Sequence, residues 1–310
     1  MHWHKKGVIF EADGQHGWIH SHAQIPTPIL LEDRIRIYYA TRPTPDLSMT
    51  SFIDVETDNP SQIIHIHDEP ILQTGQPGYF DEHGIMPNCA IHKDGKIWLY
   101  YVGWSRRCSV PYSNWTGLAI SKDGIHFERM FNGPVFDRTT DEIFCANGVF
   151  VTKEKKSGQY HAWYASGTGW AAVEGKQEEQ YVIKHATSSN AITWTRDNKE
   201  ILPRHYQHEA TTRPSVIFYN NKYHMWFCHR GLTDFRNGEN SYRIGYACSD
   251  NMENWNRDDS QSGMELSATG WDSKMQAYPY VLKTPEKVFM FYNGNGFGQS
   301  GMGYAELVMD

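Results

Sequence analysis

The chain has 310 residues, with 29 Lys and Arg against 36 Asp and Glu, for a formal net charge of -7. No basic cluster accompanies that balance, which excludes the concentrated positive surface a nucleic-acid partner requires. No run reaches the ~20 apolar residues that span a bilayer, and Met1–Gly7 lacks the apolar core of a secretory leader. The reading is a cytoplasmic chain with no membrane partner.

Taken in chain order, the sequence repeats itself. Trp3–Phe10 comes first and ends in the apolar Val8-Ile9-Phe10. Ile25–Leu30 follows, punctuated by Pro26 and Pro28, and then Arg34–Tyr39, which closes on two tyrosines. A second unit runs through Met86–Ile91, Lys96–Tyr101, Thr116–Ser121, an Asp123-Gly124 turn and His126–Arg129. The third comprises Ala146–Val151, Gln159–Tyr164, Tyr181–Ala186 and Thr193–Arg196. The fourth comprises Arg213–Phe218, Lys222–Phe227, Tyr242–Ala247 and Asn254–Arg257. A fifth holds Tyr278–Leu282, Lys287–Tyr292 and Gly301–Ala305.

The aromatic strands end at Tyr39, Tyr101, Tyr164, Phe227 and Tyr292, in steps of 62, 63, 63 and 65 residues. Pro belongs at the first residues of a strand, where its missing N–H breaks no ladder, and Asp-Gly is turn chemistry. Four short strands per unit, repeated radially, predict an all-β fold: a five-bladed β-propeller with four antiparallel strands per blade. The fifth unit has no outer strand after Ala305, and Trp3–Phe10 has the fourth-strand pattern of Phe127–Phe136. The N-terminal strand is therefore predicted to pair in the last blade and close the ring, since an open edge invites aggregation. Residues 1–310 read as one domain, a monomer or small homo-oligomer.

Five widely spaced cysteines without a C-x-x-C pair read as reduced, mostly buried thiols. Aromatic residues make up 14% of the chain, and their faces both pack between sheets and stack on sugar rings. In a propeller the innermost strands line a central channel, so the segments leading into them rim one mouth. Those segments carry His20 and His22, Asp81-Glu82-His83, Asp141-Glu142, His208-Glu209, and Trp271-Asp272. Convergent carboxylates beside aromatics around one hollow suit glycoside chemistry.

The candidate catalytic residues are Glu209 as general acid, Asp81 as its ionised partner and Asp272 toward sugar hydroxyls, with Glu82 and Glu142 as further carboxylates. His22, His83, Trp104, Arg213, Arg230, Trp271, Lys274, Gln276 and Tyr278 are candidates for ligand contact. The competing structural readings are turn capping by Asp81 and Glu82, and an ion pair between Glu209 and Arg213, which share a face of extended chain. His20 and His22 also share a face but have no third ligand, so no metal and no cofactor are expected.

Phe80-Asp-Glu-His-Gly-Ile-Met-Pro87, Leu99-Tyr-Tyr-Val-Gly-Trp104 and Ser121-Lys-Asp-Gly124 resemble the motifs of one superfamily. It is the five-bladed propeller superfamily of arabinanases, xylosidases, invertases, levansucrases and mannoside phosphorylases. The chain also looks like the propeller proteins called glycosidase-like in bacterial surface-polysaccharide loci. The resemblance implies a glycosidase or transglycosidase acting on a glycan or glycoconjugate in the funnel. It further implies an Asp base or nucleophile on blade one, a supporting Asp on blade two and a Glu acid on blade three. Asp81 and Glu142 match the last two, whereas His20 and His22 stand where the first belongs. That departure keeps two alternatives open. One is a phosphorylase with a single carboxylic acid, its phosphate held by Arg213, Arg230 and Lys274. The other is a propeller that binds a carbohydrate or sugar nucleotide without hydrolysing it.

Overall fold

The computed structural model describes residues 1–14, 17–236 and 238–308. The chain opens with β1 (His2–Phe10). Twelve strands follow: β2 (Gln24–Leu30), β3 (Ile35–Thr44), β4 (Leu47–Val55), β5 (Ile63–Ile66), β6 (Gly84–Lys93), β7 (Lys96–Arg106), β8 (Tyr112–Ser121), β9 (Glu128–Arg129), β10 (Ala146–Lys153), β11 (Tyr160–Val173), β12 (Lys176–Ser188) and β13 (Thr195–Glu200). The rest are β14 (Ala210–Tyr219), β15 (Lys222–Arg230), β16 (Arg243–Ser249), β17 (Asn256–Arg257), β18 (Ala277–Lys283), β19 (Val288–Asn293) and β20 (Met302–Val308). Helix is confined, among the described residues, to single turns at Asp259–Gln261 and Asn295–Gly298. The molecule is nearly all-β.

Pairing follows chain order. β2 to β5 form one antiparallel run, and β6 to β9 form the next. β10 to β13 and β14 to β17 repeat the pattern. In the last run β18, β19 and β20 are completed by β1, whose register runs from His2 opposite Val308 to Phe10 opposite Met302. The expected partnership of the N-terminal strand with the final unit is thus present in the hydrogen bonding.

One turn device serves the middle runs. Ser121, Ser188 and Ser249 each accept the N–H three residues on. Asp123, Asn190 and Asn251 each accept the N–H groups two and three residues beyond themselves. Short polar side chains satisfy backbone donors that a tight turn leaves open. The same device holds Thr193, so the strand expected from Thr193 begins at Thr195.

Aromatic side chains join each run to the next. Tyr38 of β3 meets Phe127 beside β9 at 5.6 Å, and Tyr100 of β7 meets Trp194 beside β13 at 6.4 Å. Trp163 of β11 meets Trp255 beside β17 at 5.8 Å, and Trp226 of β15 meets Trp3 of β1 at 5.3 Å. Each is the next-to-last aromatic of its repeat, packed on the outermost strand of the following run. Phe291, at that position in β19, lies in one cluster with Ile37, Ile53 and Ile63 of the first run. Each aromatic pair contributes roughly 0.5–1.5 kcal/mol beyond the area it buries.

Candidate functional site

Every innermost strand carries a bulge near its start. The registers slip between Gln24 and Thr27, Pro87 and Cys89, Asn147 and Phe150, Thr212 and Ser215, and Ala277 and Tyr280. Ile25, Gly148, Arg213 and Tyr278 have φ of 59°, 61°, 54° and 56° there. Left-handed backbone costs a non-glycine residue on the order of 1 kcal/mol, and a bulge re-aims side chains that a regular strand would send elsewhere. All four residues line one cavity of about 530 Å³, together with Gln24, Met86, Asn88, Asn147 and Thr212. The five innermost strands therefore converge on it.

Glu178 and Glu179 are the carboxylates of the described lining. They ride on the hairpin of β11 and β12, whose 14 and 13 residues exceed every other strand. A bulge between Gly167 and Gly169 interrupts that hairpin just before the pair. Glu178 is clamped by Arg236, which donates through both Nη atoms, the longer bond being 2.9 Å. Glu179 is different. It is 2% exposed, and its Oε1 has no hydrogen-bond partner. Burial pushes its carboxyl up to about 7, against opposing bonds from Cys145, Asn114 and Tyr112 and the charge of Arg230. Arg230 holds the strand rather than the acid: its Nη2 donates to the Glu179 main-chain oxygen at 2.7 Å. Its guanidinium stacks 3.8 Å from the Phe235 ring, and its Nε donates to the Tyr181 hydroxyl at 3.0 Å.

The acids expected from the sequence lie elsewhere. Asp81 accepts the Tyr101 hydroxyl at 3.0 Å and Arg129 Nε at 2.8 Å. Glu142 accepts the Tyr164 hydroxyl at 2.9 Å and Arg196 at 2.7 Å. Asp272 accepts the Tyr292 hydroxyl at 3.1 Å and Lys5 at 2.9 Å. Glu209 accepts Arg257 at 2.7 and 2.8 Å; the ring of its repeat is Phe227, without a hydroxyl, and His229 stands 3.3 Å from the carboxylate. Each is a latch from the start of a run to its outermost strand, 2% exposed or less, and none lines the cavity. Burial works against ionisation of Glu209, but the His229 and Arg257 bonds win and hold it down at about 2. The Glu209–Arg213 pair does not form, because Arg257 occupies the carboxylate. His205, Glu209 and Asp259 approach closely enough to hold a cation, yet Arg257 bonds both carboxylates at 2.7 Å and already supplies the charge.

Of the expected contact residues, Trp104, Arg213, Arg230 and Tyr278 line the cavity. Arg213 spans its floor, bonding Asn88 Oδ1 at 3.2 Å, Pro26 O at 3.2 Å and Thr27 Oγ1 at 2.9 Å. Trp104 donates Nε1 to Ser48 at 2.7 Å. The others stand outside the lining. Trp271 packs against Tyr292 with ring centroids 4.9 Å apart, Gln276 donates to Asp272 at 2.9 Å, and Glu82 accepts the Gly78 N–H at 2.8 Å beside His83. Lys274 is exposed, and His22 is half-buried and pulled down to about 4 by burial and by Arg42. Sequence reasoning missed Glu179, Arg42 and Tyr112. The available signal was Gln177-Glu-Glu-Gln180, four polar residues directly before an apolar strand.

No family model matches the chain. The chain is similar to 1,2-beta-oligomannan phosphorylase of Thermoanaerobacter sp. (strain X514), 27% identical over 193 residues, which cover 61% of this chain and 57% of that one. Among solved structures it superposes on a protein described as a glycoside hydrolase with a TM-score of 0.77 at 17% identity, over 99% of this chain and 92% of that one. It is 34% identical over 309 residues, 99% of both chains, to Uncharacterized protein Rv1502 of Mycobacterium tuberculosis (strain ATCC 25618 / H37Rv). By that likeness along nearly its full length, the chain belongs to the family of the Mycobacterium protein, on a fold it shares with glycoside hydrolases.

Proposed function

We propose that the chain is a carbohydrate-active enzyme that breaks a glycosidic bond in the central cavity, with Glu179 giving the proton to the leaving oxygen. The observation that carries this is the Glu179 carboxyl itself. It lines the cavity, is buried, and has its carboxyl raised to about 7, so that it can give up a proton near neutral pH. A general acid works best with a pKa near the working pH. The Glu acid implied on the third blade is then Glu179 in β12, not Glu142.

The same proposal takes the five antiparallel runs as the blades of one closed five-bladed propeller and one domain. The pairing of β1 with β20 and the aromatic contacts from run to run support it. The five cysteines are free, three of them buried, which suits a reducing compartment, and no described helix is long and apolar enough to cross a membrane.

A phosphorylase is favoured over a hydrolase by one observation. A carboxylate pair needs its second member free, about 5 Å or about 6.5–9.5 Å away. Here Glu178 is taken by Arg236, so phosphate can replace the missing nucleophile. The similarity to an oligomannan phosphorylase points the same way. A panel of β-linked manno-oligosaccharides and aryl glycosides, run with and without inorganic phosphate, tests both readings. Turnover that requires phosphate and disappears in Glu179→Gln is expected. Tight binding of the panel without any turnover overturns the enzyme reading in favour of a binding propeller.

A further inference from the structure

The cavity is more positive than the protein around it. Its described lining holds Arg42, Arg213, Arg230 and Arg236 against Glu178 and Glu179. Arg236 and Glu178 neutralise each other, and Glu179, raised to about 7, is only partly ionised at neutral pH. In a chain of net charge -7, that leaves an excess of guanidinium in one hollow.

Two of these cations face no carboxylate. Arg42, on β3, makes one long contact with Gln24 Oε1 at 3.4 Å, and burial lowers its pKa with only Tyr278 acting against that. Arg213 is 2% exposed, bonds only neutral oxygens, and leaves its Nε without an acceptor. Beside it Asn88, 1% exposed, leaves Nδ2 without an acceptor as well. Leaving a buried donor or charge unsatisfied is costly, so such groups persist where a ligand completes them. The lining thus brings together Arg42, Arg213 and Asn88, from the first, fourth and second runs, with two cations that no carboxylate neutralises. Their complement is an acceptor-only, negatively charged group.

Arg213 also ties β14 to β2 and β6 at the cavity. We infer that the cavity takes a glycan one of whose sugars carries an acidic substituent, a carboxylate or a phosphate monoester, seated at Arg42, Arg213 and Asn88. This rests on the reading of the cavity as a glycan site. The first and third runs are not neighbours, so Arg42 and Glu179 stand on separate walls. That placement suits a group carried on the ring away from the bond that Glu179 protonates.

The test uses the full chain and isothermal titration at fixed ionic strength. Its probes are D-glucuronate, D-galacturonate, mannose 6-phosphate, the neutral hexoses and inorganic phosphate. An acidic sugar is expected to bind at least tenfold tighter than its neutral counterpart, and Arg42→Gln is expected to erase that advantage. Arg42→Lys should keep part of it, since a point charge remains but the fork does not. Melting each variant without ligand checks that it folds. Equal binding of acidic and neutral sugars overturns the proposal, and so does unchanged preference in Arg42→Gln. Inorganic phosphate as the sole probe that depends on Arg42 also overturns it, because the site then serves free phosphate. Glu179→Gln should retain the preference. If turnover depends on Glu179 while Arg42→Gln changes nothing, this inference fails and the enzyme reading stands.

Discussion

Two sets of buried charge divide the molecule. The latches at Asp81, Glu142, Glu209 and Asp272 recur with the repeat, and each acid meets a cation on the outermost strand of its own run. Of the cavity residues, Glu179 and Arg213 recur nowhere, and Arg42 shares its place in the repeat only with Arg230, three residues past the closing aromatic. The charges of Arg42, Glu179 and Arg213 are left partly unmatched. The first set fastens the incoming chain to the far edge in the second to fifth runs. The second belongs to the single hollow that all runs share. In a repeat protein, a feature that keeps the period belongs to the architecture, and one that breaks it is the better candidate for chemistry.

The harshest test of the periodic set is removal of residues 1–10. That deletion strips β1 from β20, the Lys5 partner from Asp272 and Trp3 from Trp226. A lost strand with its buried side chains costs several kcal/mol, roughly the whole stability of many domains. The truncated chain should fail to give a cooperative melt near that of the intact one. A melting temperature within a degree or two of the full chain would falsify the role given to β1.

Next in size is the separation of activity from stability. Glu179→Gln is expected to lower turnover roughly a hundred- to ten-thousand-fold while leaving the melt no worse. Glu209→Ala should do the reverse. It leaves Asp259 as the only carboxylate bonded to Arg257 and is expected to cost about 3–5 kcal/mol, with ligand affinity unchanged below the melting range. Should Glu209→Ala abolish turnover at unchanged stability, the expectation drawn from the sequence would be right after all and the latch assignment wrong.

The two sets also carry opposite pH signatures. Glu209, held at about 2, contributes stability that is complete above the unfolded value near 4.5 and is lost as pH falls toward 2. Glu179, raised to about 7, keeps a proton that the unfolded chain gives up from about 4.5, so its contribution declines as pH rises between those values. Burial pulls His22, His67, His161, His185 and His224 down, so their contribution rises with pH in the same window. Urea denaturation should therefore show the stability of the wild type relative to Glu179→Gln falling across about pH 4.5 to 7. A difference that stays constant across that window would mean that Glu179 titrates normally.

How much of this was legible beforehand divides along the same line. The repeat of Tyr39, Tyr101, Tyr164, Phe227 and Tyr292 gave the strand order, and the partner of β1 followed from the strand missing after Ala305. The recurring acids were visible too, but their fate was not. Only the fold brings Arg129, Arg196, Arg257 and Lys5 back over them, from 48, 54, 48 and 267 residues away. Glu179 was hidden because a plain strand alternates its faces, and nothing in Gln177–Gln180 announces the bulge beside it. Arg42 was hidden because an unmatched charge is a statement about neighbours that fail to appear.

The smallest expected effect concerns the one ion pair that belongs to both sets. Arg236 and Glu178 form a bridge like the latches, but they do so at the cavity, joining the segment after β15 to the long hairpin of β11 and β12. Arg236 is half exposed, with 52% of its side chain in solvent, whereas Arg257 in its latch has 0%. An exposed partner is well hydrated before pairing, so the bridge gains little: below about 1 kcal/mol. Arg236→Ala should therefore leave the melt nearly unchanged. It also frees the Glu178 carboxylate in a cavity whose floor seeks anions, so affinity for an acidic sugar should fall several-fold more than affinity for a neutral one. A stability loss near that of Glu209→Ala would instead place this bridge with the architecture, and the line between periodic and solitary charge would have to be redrawn.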